Sequence, residues 1–230
     1  MVAELQNISK HYDQPGSGIR NVILNGISLS VGERDSIAIV GPSGSGKSTL
    51  LNILGTLDHP SSGRVILDGT DTDTLDENRL ADRRNRFIGF VFQLHHLLPQ
   101  LTLLENVLLP ALPVTDPSVR KMTIERAKML IERVGLKEQV HHRPVQMSVG
   151  ECQRAAVVRA LINQPRLLLA DEPTGSLDAS NADLLGQLLR ELNTEQNLAV
   201  VVVTHSAELA AGMGKIYKLT SGSLNLTKQR

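Results

Sequence analysis

Eight consecutive residues carry recognisable chemistry: Gly41-Pro42-Ser43-Gly44-Ser45-Gly46-Lys47-Ser48. They fit G-x-x-x-x-G-K-[ST], a loop that binds phosphate. Its glycines let the backbone curl around an anion where a Cβ would intrude. Backbone N–H groups and the start of the following helix then point at the phosphates. Lys47 brings a full positive charge to the β- and γ-phosphates, and Ser48 offers its hydroxyl to Mg²⁺. A second group lies far along the chain. Arg166-Leu167-Leu168-Leu169-Ala170-Asp171-Glu172 is an apolar run ending in two acids. Two carboxylates at the tip of a buried strand are costly unless paired. A divalent cation held by Asp171 and a water polarised by Glu172 would satisfy them. Gln93 closes the run Phe87–Gln93 and is a candidate to reach Mg²⁺ or a water, and His205 closes Ala199–His205. Ser148, followed three residues later by Glu151, reads as a capping box. A helix start is also an anion site, and both readings of Met147–Glu151 can hold at once.

These groups need elements to position them. The β-prone run Ser36–Val40 precedes the phosphate loop and the helix-prone run Thr49–Leu54 follows it, which is the order the motif requires. The runs ending at Gln93, Glu172 and His205 read as further strands, and ligands bind at the carboxyl ends of strands in open α/β sheets. Continuous hydrophobicity marks Leu167–Ala170 and Ala199–Val203 as strands buried on both faces. Val2–Ser9 and Val22–Ser30 read as two strands joined by a loop containing Gln14-Pro15-Gly16-Ser17-Gly18. On spacing alone, Tyr12 at the end of the first reads as a strand-end tyrosine covering core, with stacking on an adenine ring as the functional alternative. Arg64–Gly69 is another strand. Arg79, Arg83 and Arg86 fall at helical spacing in a charged stretch and read as a solvated face, with lipid headgroups or a protein partner as the functional alternative. Residues 94–158 form a helical insertion, with a helix over Met122–Val134 whose inner face is Ile124, Ala127, Ile131 and Val134. A further helix runs from about Cys152 to Ile162.

Composition narrows the class. The chain has 230 residues with 24 Lys+Arg and 24 Asp+Glu, a net charge of zero that argues against nucleic acid as the partner. One cysteine, Cys152, excludes an internal disulfide and suits a reducing compartment. No run of ~18 apolar residues exists to span a bilayer. The first residues lack a signal-peptide pattern, so the expected location is the cytoplasm.

Taken in order, these motifs resemble the ATP-binding subunits of ABC transporters, and the resemblance covers nearly the whole chain. The phosphate loop Gly41–Ser48, Gln93 as the Q-loop, Ser148–Glu151 as the LSGGQ-like segment, Leu167–Glu172 as Walker B, Ser176-Leu177-Asp178 as the D-loop and His205 as the switch histidine occur in sequence. Gly89–Gln93, Leu101–Val107 and Asp171–Asp178 are similar to the group serving lipoprotein release, macrolide export and the cell-division permease.

The resemblance implies an α/β fold: a phosphate-loop NTPase core with a mostly parallel sheet, an antiparallel β subdomain and an inserted helical subdomain. Residues 1–93 and 159–230 would form the core with its β subdomain, and 94–158 the helical part. It implies two cassettes facing head-to-tail around two ATP, each ATP touching Gly41, Pro42, Ser43, Gly44, Ser45, Gly46, Lys47, Ser48 and Thr49 of one subunit and Ser148 and Gly150 of the other. Asp178 would contribute to the nucleotide site, and Tyr12 would stack on adenine rather than cover core. Ser48, Gln93 and Asp171 would hold Mg²⁺; Glu172, His205, Lys47 and Gln93 would carry catalysis. An integral-membrane permease would be the partner, placing the subunit peripherally on the inner face of the inner membrane.

Other readings fit less. A DNA-repair ATPase of this superfamily needs a long coiled coil between the halves of its site, and the 79 residues from Gln93 to Asp171 inclusive leave no room. Translation types carry two cassettes in one chain. A small-molecule kinase leaves Ser148–Glu151 and His205 unexplained. Val149, standing where the LSGGQ-like segment has its first glycine, suggests a regulated clamp; the acidic and basic site residues are all present and favour an active enzyme. Valine is stiff and disfavours φ > 0, so residue 149 is expected at φ < 0 with its side chain away from nucleotide.

Overall fold

Strand β3 (Ser36–Val40) shows how the core is divided. Ile37 and Ile39 face one apolar cluster and Ala38 the other, all fully buried. Strands β7 (Leu167–Asp171) and β8 (Ala199–Thr204) split the same way: Leu167, Leu169, Val201 and Val203 face the first cluster, Leu168, Ala170, Val200 and Val202 the second. Each fully buried Val or Leu here contributes roughly 1.5–3 kcal/mol. Two-sided burial explains why these runs are apolar without alternation.

The computed structural model describes residues 1–13 and 20–229; the turn expected at Gln14–Gly18 lies outside the described residues. The three strands belong to a six-stranded sheet of order β10-β9-β3-β8-β7-β6, completed by β6 (Ile88–Val91), β9 (Lys215–Thr220) and β10 (Ser223–Gln229). It is parallel except for the β9–β10 hairpin. A second sheet is antiparallel, β2-β1-β4-β5, from β1 (Ala3–Asp13), β2 (Arg20–Val31), β4 (Ser62–Leu67) and β5 (Thr70–Asp71). It shares the first cluster with helix α1 (Lys47–Leu54), whose Leu50, Leu51, Ile53 and Leu54 are buried. Next come α2 (Glu77–Phe87), α3 (Leu103–Leu108), α4 (Pro117–Arg133) and α5 (Val149–Leu161); α6 (Ala179–Glu195) and α7 (Ala207–Ala211) follow β7 and β8. Helices α3 to α7 cover the second face.

Several elements differ in extent from the sequence reading. Strand β1 continues past Ser9 to Asp13 because its pairing with β2 shifts register after Leu5, around Asn7 at φ 52, and the strand resumes beyond the bulge. Helix α4 begins at Pro117 rather than Met122: Asp116 caps it by accepting from the Ser118 and Val119 N–H groups, and proline suits its first turn. Apolar periodicity misses that turn because Val119 and Met122 are exposed. Helix α5 likewise starts three residues before Cys152, at its Ser148 cap, and runs to Leu161, across the expected boundary at 158.

Candidate active site

Parallel pairing aligns the carboxyl ends of four strands. Val40 is opposite Thr204, Asp171 opposite Val203, and Val91 opposite Ala170. The phosphate loop after β3, Gln93 after β6, Asp171 and Glu172 at the end of β7 and His205 after β8 therefore lie along one edge of the sheet.

Gly44 and Gly46 hold φ values of 75 and 96, conformations open to glycine, and Gly46 caps α1. Lys47 is the first residue of α1 and is nearly buried; its Nζ donates to the carbonyls of Gly41 at 3.0 Å and Pro42 at 3.1 Å. Ser45 Oγ is buried without a hydrogen-bond partner. An orphaned hydroxyl inside a loop of N–H donors, beside a cation held by its own loop carbonyls, fits a site built for phosphate oxygens. Pro42, Ser43 and Gly44 are exposed at the tip, and Thr49 lies within α1.

Ser48 Oγ donates to Asp171 Oδ1 at 3.1 Å. Burial pushes the Asp171 carboxyl above its usual range, against the lowering effect of the Ser48 hydrogen bond; neighbouring Glu172 pushes it further up. A cation beside it would relieve that penalty. Among the described residues no three acids, histidines or cysteines cluster as a metal cage. One hydroxyl and one carboxylate fit a hard cation that takes its remaining ligands from phosphate and water. Gln93 is exposed, and its carbonyl accepts from Ser176 Oγ at 3.2 Å.

Glu172 turns the chain off β7. Its N–H donates to the Val203 carbonyl at 2.9 Å and its φ is 44, a left-handed conformation costing ~1–2 kcal/mol in a residue with a Cβ. That turn aims the carboxylate at His205. Oε2 accepts from the His205 backbone N–H at 3.1 Å and lies 2.9 Å from Nδ1. The Nδ1 side of the imidazole therefore faces Glu172, leaving Nε2 for another contact.

Ser148 caps helix α5, and Gly150 is its second residue. Ser148 Oγ accepts from the Glu151 N–H at 3.2 Å and Glu151 Oε2 accepts from the Ser148 N–H at 2.7 Å, a reciprocal capping box. These bonds hold the Glu151 carboxyl below its usual range, against burial. Val149 is the first residue of α5, has no positive φ, and is exposed. Gly150 is needed for packing within the chain: a Cβ there would sit 2.6 Å from Asn181 Oδ1. Asn181 is itself held, its Nδ2 donating to Asp178 Oδ2 at 2.7 Å and its N–H to Oδ1 at 2.9 Å. Asp178 is thus the cap of α6, and those bonds bring its pKa down to about 2. Gly150→Ala is expected to cost ~1–3 kcal/mol of overpacking, measured by urea denaturation, and adding Asn181→Ala should recover most of it. No recovery would mean the glycine serves another contact.

Tyr12 is 48% exposed, so it does not cover core. Two buried amides went unread in the sequence. Asn106 is fully buried; it accepts from the Leu98 N–H and donates to the Leu98, Leu101 and Thr102 carbonyls, pinning the segment after Gln93. The Thr102–Glu105 capping box beside it was a signal that could have found it. Gln153, also fully buried, donates to the Phe92 carbonyl at 2.7 Å and ties α5 to the Gln93 loop.

This edge of a parallel sheet, with a phosphate loop, a serine–aspartate pair and a glutamate–histidine pair, defines a phosphate-loop ATPase. The model of the family described as "ABC transporter" matches residues 24–175, and the chain belongs to that family as its ATP-binding cassette. It is similar to "Lipoprotein-releasing system ATP-binding protein LolD" of Shewanella frigidimarina, 47% identical over 97% of this chain and 92% of that protein. A protein of the same description from Rickettsia bellii is 45% identical over 98% of both. Among solved structures it resembles the dimeric bacterial ABC transporter cassette MJ0796, at TM-score 0.89 and 39% identity over 99% of both chains. A post-hydrolysis state of that cassette, bound to ADP and Pi, matches at TM-score 0.88 and 38% identity.

Proposed function

We propose that this chain is the ATPase subunit of a lipoprotein-releasing type of transporter, working as a head-to-tail homodimer around two ATP on the inner face of the inner membrane. The observation that carries the catalytic part is Glu172, forced into a left-handed turn at a strand tip and facing His205 at 2.9 Å. Lys47 and the N-terminus of α1 hold the β- and γ-phosphates, Tyr12 stacks on adenine, and Glu172 accepts the proton of the attacking water. His205, oriented through Nδ1, presents Nε2 toward the γ-phosphate. Ser48, Gln93 and Asp171 would hold Mg²⁺, which supplies charge neutralisation for phosphoryl transfer when bound. The cap at Ser148 takes up the Glu151 N–H, and the N–H groups of Val149 and Gly150 at the start of α5 would meet a partner's γ-phosphate.

The permease belongs in a groove of about 410 Å³ whose walls include Leu57, Arg84, Phe90, Pro110 and Arg159. Arg159 donates to the carbonyls of His95 at 2.8 Å and His96 at 2.6 Å, two and three residues after Gln93. A partner seated there touches the loop that carries Gln93, so nucleotide state and permease conformation share one element. Among the described residues no helix is long and apolar enough to cross a membrane, so anchoring falls to that contact.

Mixing two inactive chains tests the shared site. Ser148→Arg blocks one half and Lys47→Ala the other; the heterodimer should regain one working site and ATPase activity above either variant alone. If heterodimers form and remain silent, the two halves do not meet across subunits.

A further inference from the structure

Lys10 and Tyr12 lie two residues apart on β1 and so share a face of the strand. The turn after α1 brings Asp58 against both. Lys10 Nζ donates to Asp58 Oδ1 at 2.7 Å and to the His59 carbonyl at 2.7 Å. Tyr12 Oη donates to Asp58 Oδ2 at 3.2 Å. The Lys10 ammonium also lies over the Tyr12 ring, 5.1 Å from its centroid. The lysine side chain is 12% exposed and that of Asp58 31%, so this ion pair is partly sheltered from solvent. The ring is therefore held at its hydroxyl edge by a carboxylate and covered on one face by a cation, while nearly half of its surface stays open. The Lys10 and Tyr12 contacts lower the Asp58 carboxyl against its burial.

The same short helix links this clamp to the phosphate loop. Helix α1 begins at Lys47 and ends at Leu54, four residues before Asp58. Eight helical residues span ~12 Å, so α1 acts as a rigid spacer between the group that holds phosphate and the group that holds the ring.

We propose that Asp58, with Lys10, is a positioning residue for the nucleotide base. It fixes the plane of Tyr12 and sets that plane at a constant distance from Lys47, favouring a base with a large stacking face over a small one. The inference rests on the reading of Tyr12 as the base-stacking ring. It goes further in assigning base discrimination to a carboxylate that touches no nucleotide.

The test is isothermal titration of ATP and of CTP against the wild-type chain, Tyr12→Ala, Tyr12→Phe and Asp58→Ala, with thermal melting of each. Losing the ring should weaken ATP binding by roughly 5- to 150-fold. Tyr12→Phe keeps the ring and removes only its bond to Asp58. It and Asp58→Ala should each weaken ATP binding on the order of 2- to 12-fold, with a smaller change for CTP, so that the preference for ATP narrows. Asp58→Glu, which keeps the carboxylate, should restore part of that preference. If Tyr12→Ala weakens ATP while Tyr12→Phe and Asp58→Ala do not, stacking stands and the clamp is wrong. If Tyr12→Ala leaves ATP binding unchanged, the stacking reading itself fails. Equal weakening of ATP and CTP in Asp58→Ala, with a lower melting temperature, would reduce Asp58 to a structural ion pair. Tyr12→Phe decides the matter should Asp58→Ala fail to fold.

Discussion

Glu172→Gln binds ATP, stalls as a nucleotide-bound dimer and hydrolyses ~10²–10⁴-fold more slowly, the range expected for loss of a general base. The substitution suits this site. Glutamine has the shape of glutamate and tolerates φ 44 no worse, so the turn off β7 keeps its N–H bond to Val203. Its side-chain oxygen can still accept from the His205 backbone N–H, as Oε2 does at 3.1 Å, and stay close to Nδ1, which lies 2.9 Å from Oε2. What is lost is the basic lone pair on a carboxylate and its negative charge beside Asp171, whose own carboxyl is already raised by burial. Removing that charge also lessens repulsion toward the γ-phosphate, which is why the ATP-bound dimer should accumulate. Steady-state phosphate release measures the first effect and size-exclusion chromatography with ATP the second. Turnover near wild type would remove Glu172 from the role of base.

The parts of this site legible in the sequence are those whose chemistry is local. Gly41–Ser48 is a contiguous loop, and Ser148 and Glu151 are three residues apart, so spacing alone encodes the geometry. The apolar runs before Asp171 and His205 also read correctly as buried strands, because burial on both faces leaves its mark on every residue. What escaped is long-range. The bond from Gln153 to Phe92 spans 61 positions, and nothing in either residue announces it. The link from Tyr12 to Asp58 spans 46. The missing Cβ of Gly150 also makes room for Asn181 on another helix, a packing role that its place in the LSGGQ-like segment does not announce. Helix starts were misplaced where caps outweigh apolar periodicity: α4 is begun by Asp116 and Pro117, ahead of its first buried residue, Ala127.

Lys47→Ala is expected to abolish most ATP binding and nearly all turnover. No other residue of the phosphate loop is positively charged, and a charge-assisted hydrogen bond contributes about 1.5–3 kcal/mol, or roughly 10- to 150-fold in affinity. In the structure the ammonium is nearly buried and bonded to the Gly41 and Pro42 carbonyls. It is therefore already desolvated and held within the loop, and exchanging carbonyls for phosphate oxygens costs it little further dehydration. Truncation has two separable consequences. Two carbonyls lose their donor, a modest penalty because Pro42 is exposed to water. The phosphates lose their cation, which is the large effect. Titration with ATP–Mg²⁺ reads the second directly. Thermal melting separates the two: without nucleotide the melting temperature should fall slightly, and the stabilisation given by saturating ATP should largely vanish, since a ligand stabilises only by binding the folded state. Lys47→Arg retains the charge but replaces a compact ammonium with a planar fork, and should recover part of the binding with little turnover. Unchanged affinity together with unchanged turnover in Lys47→Ala would refute the assignment of Gly41–Ser48 as the phosphate site.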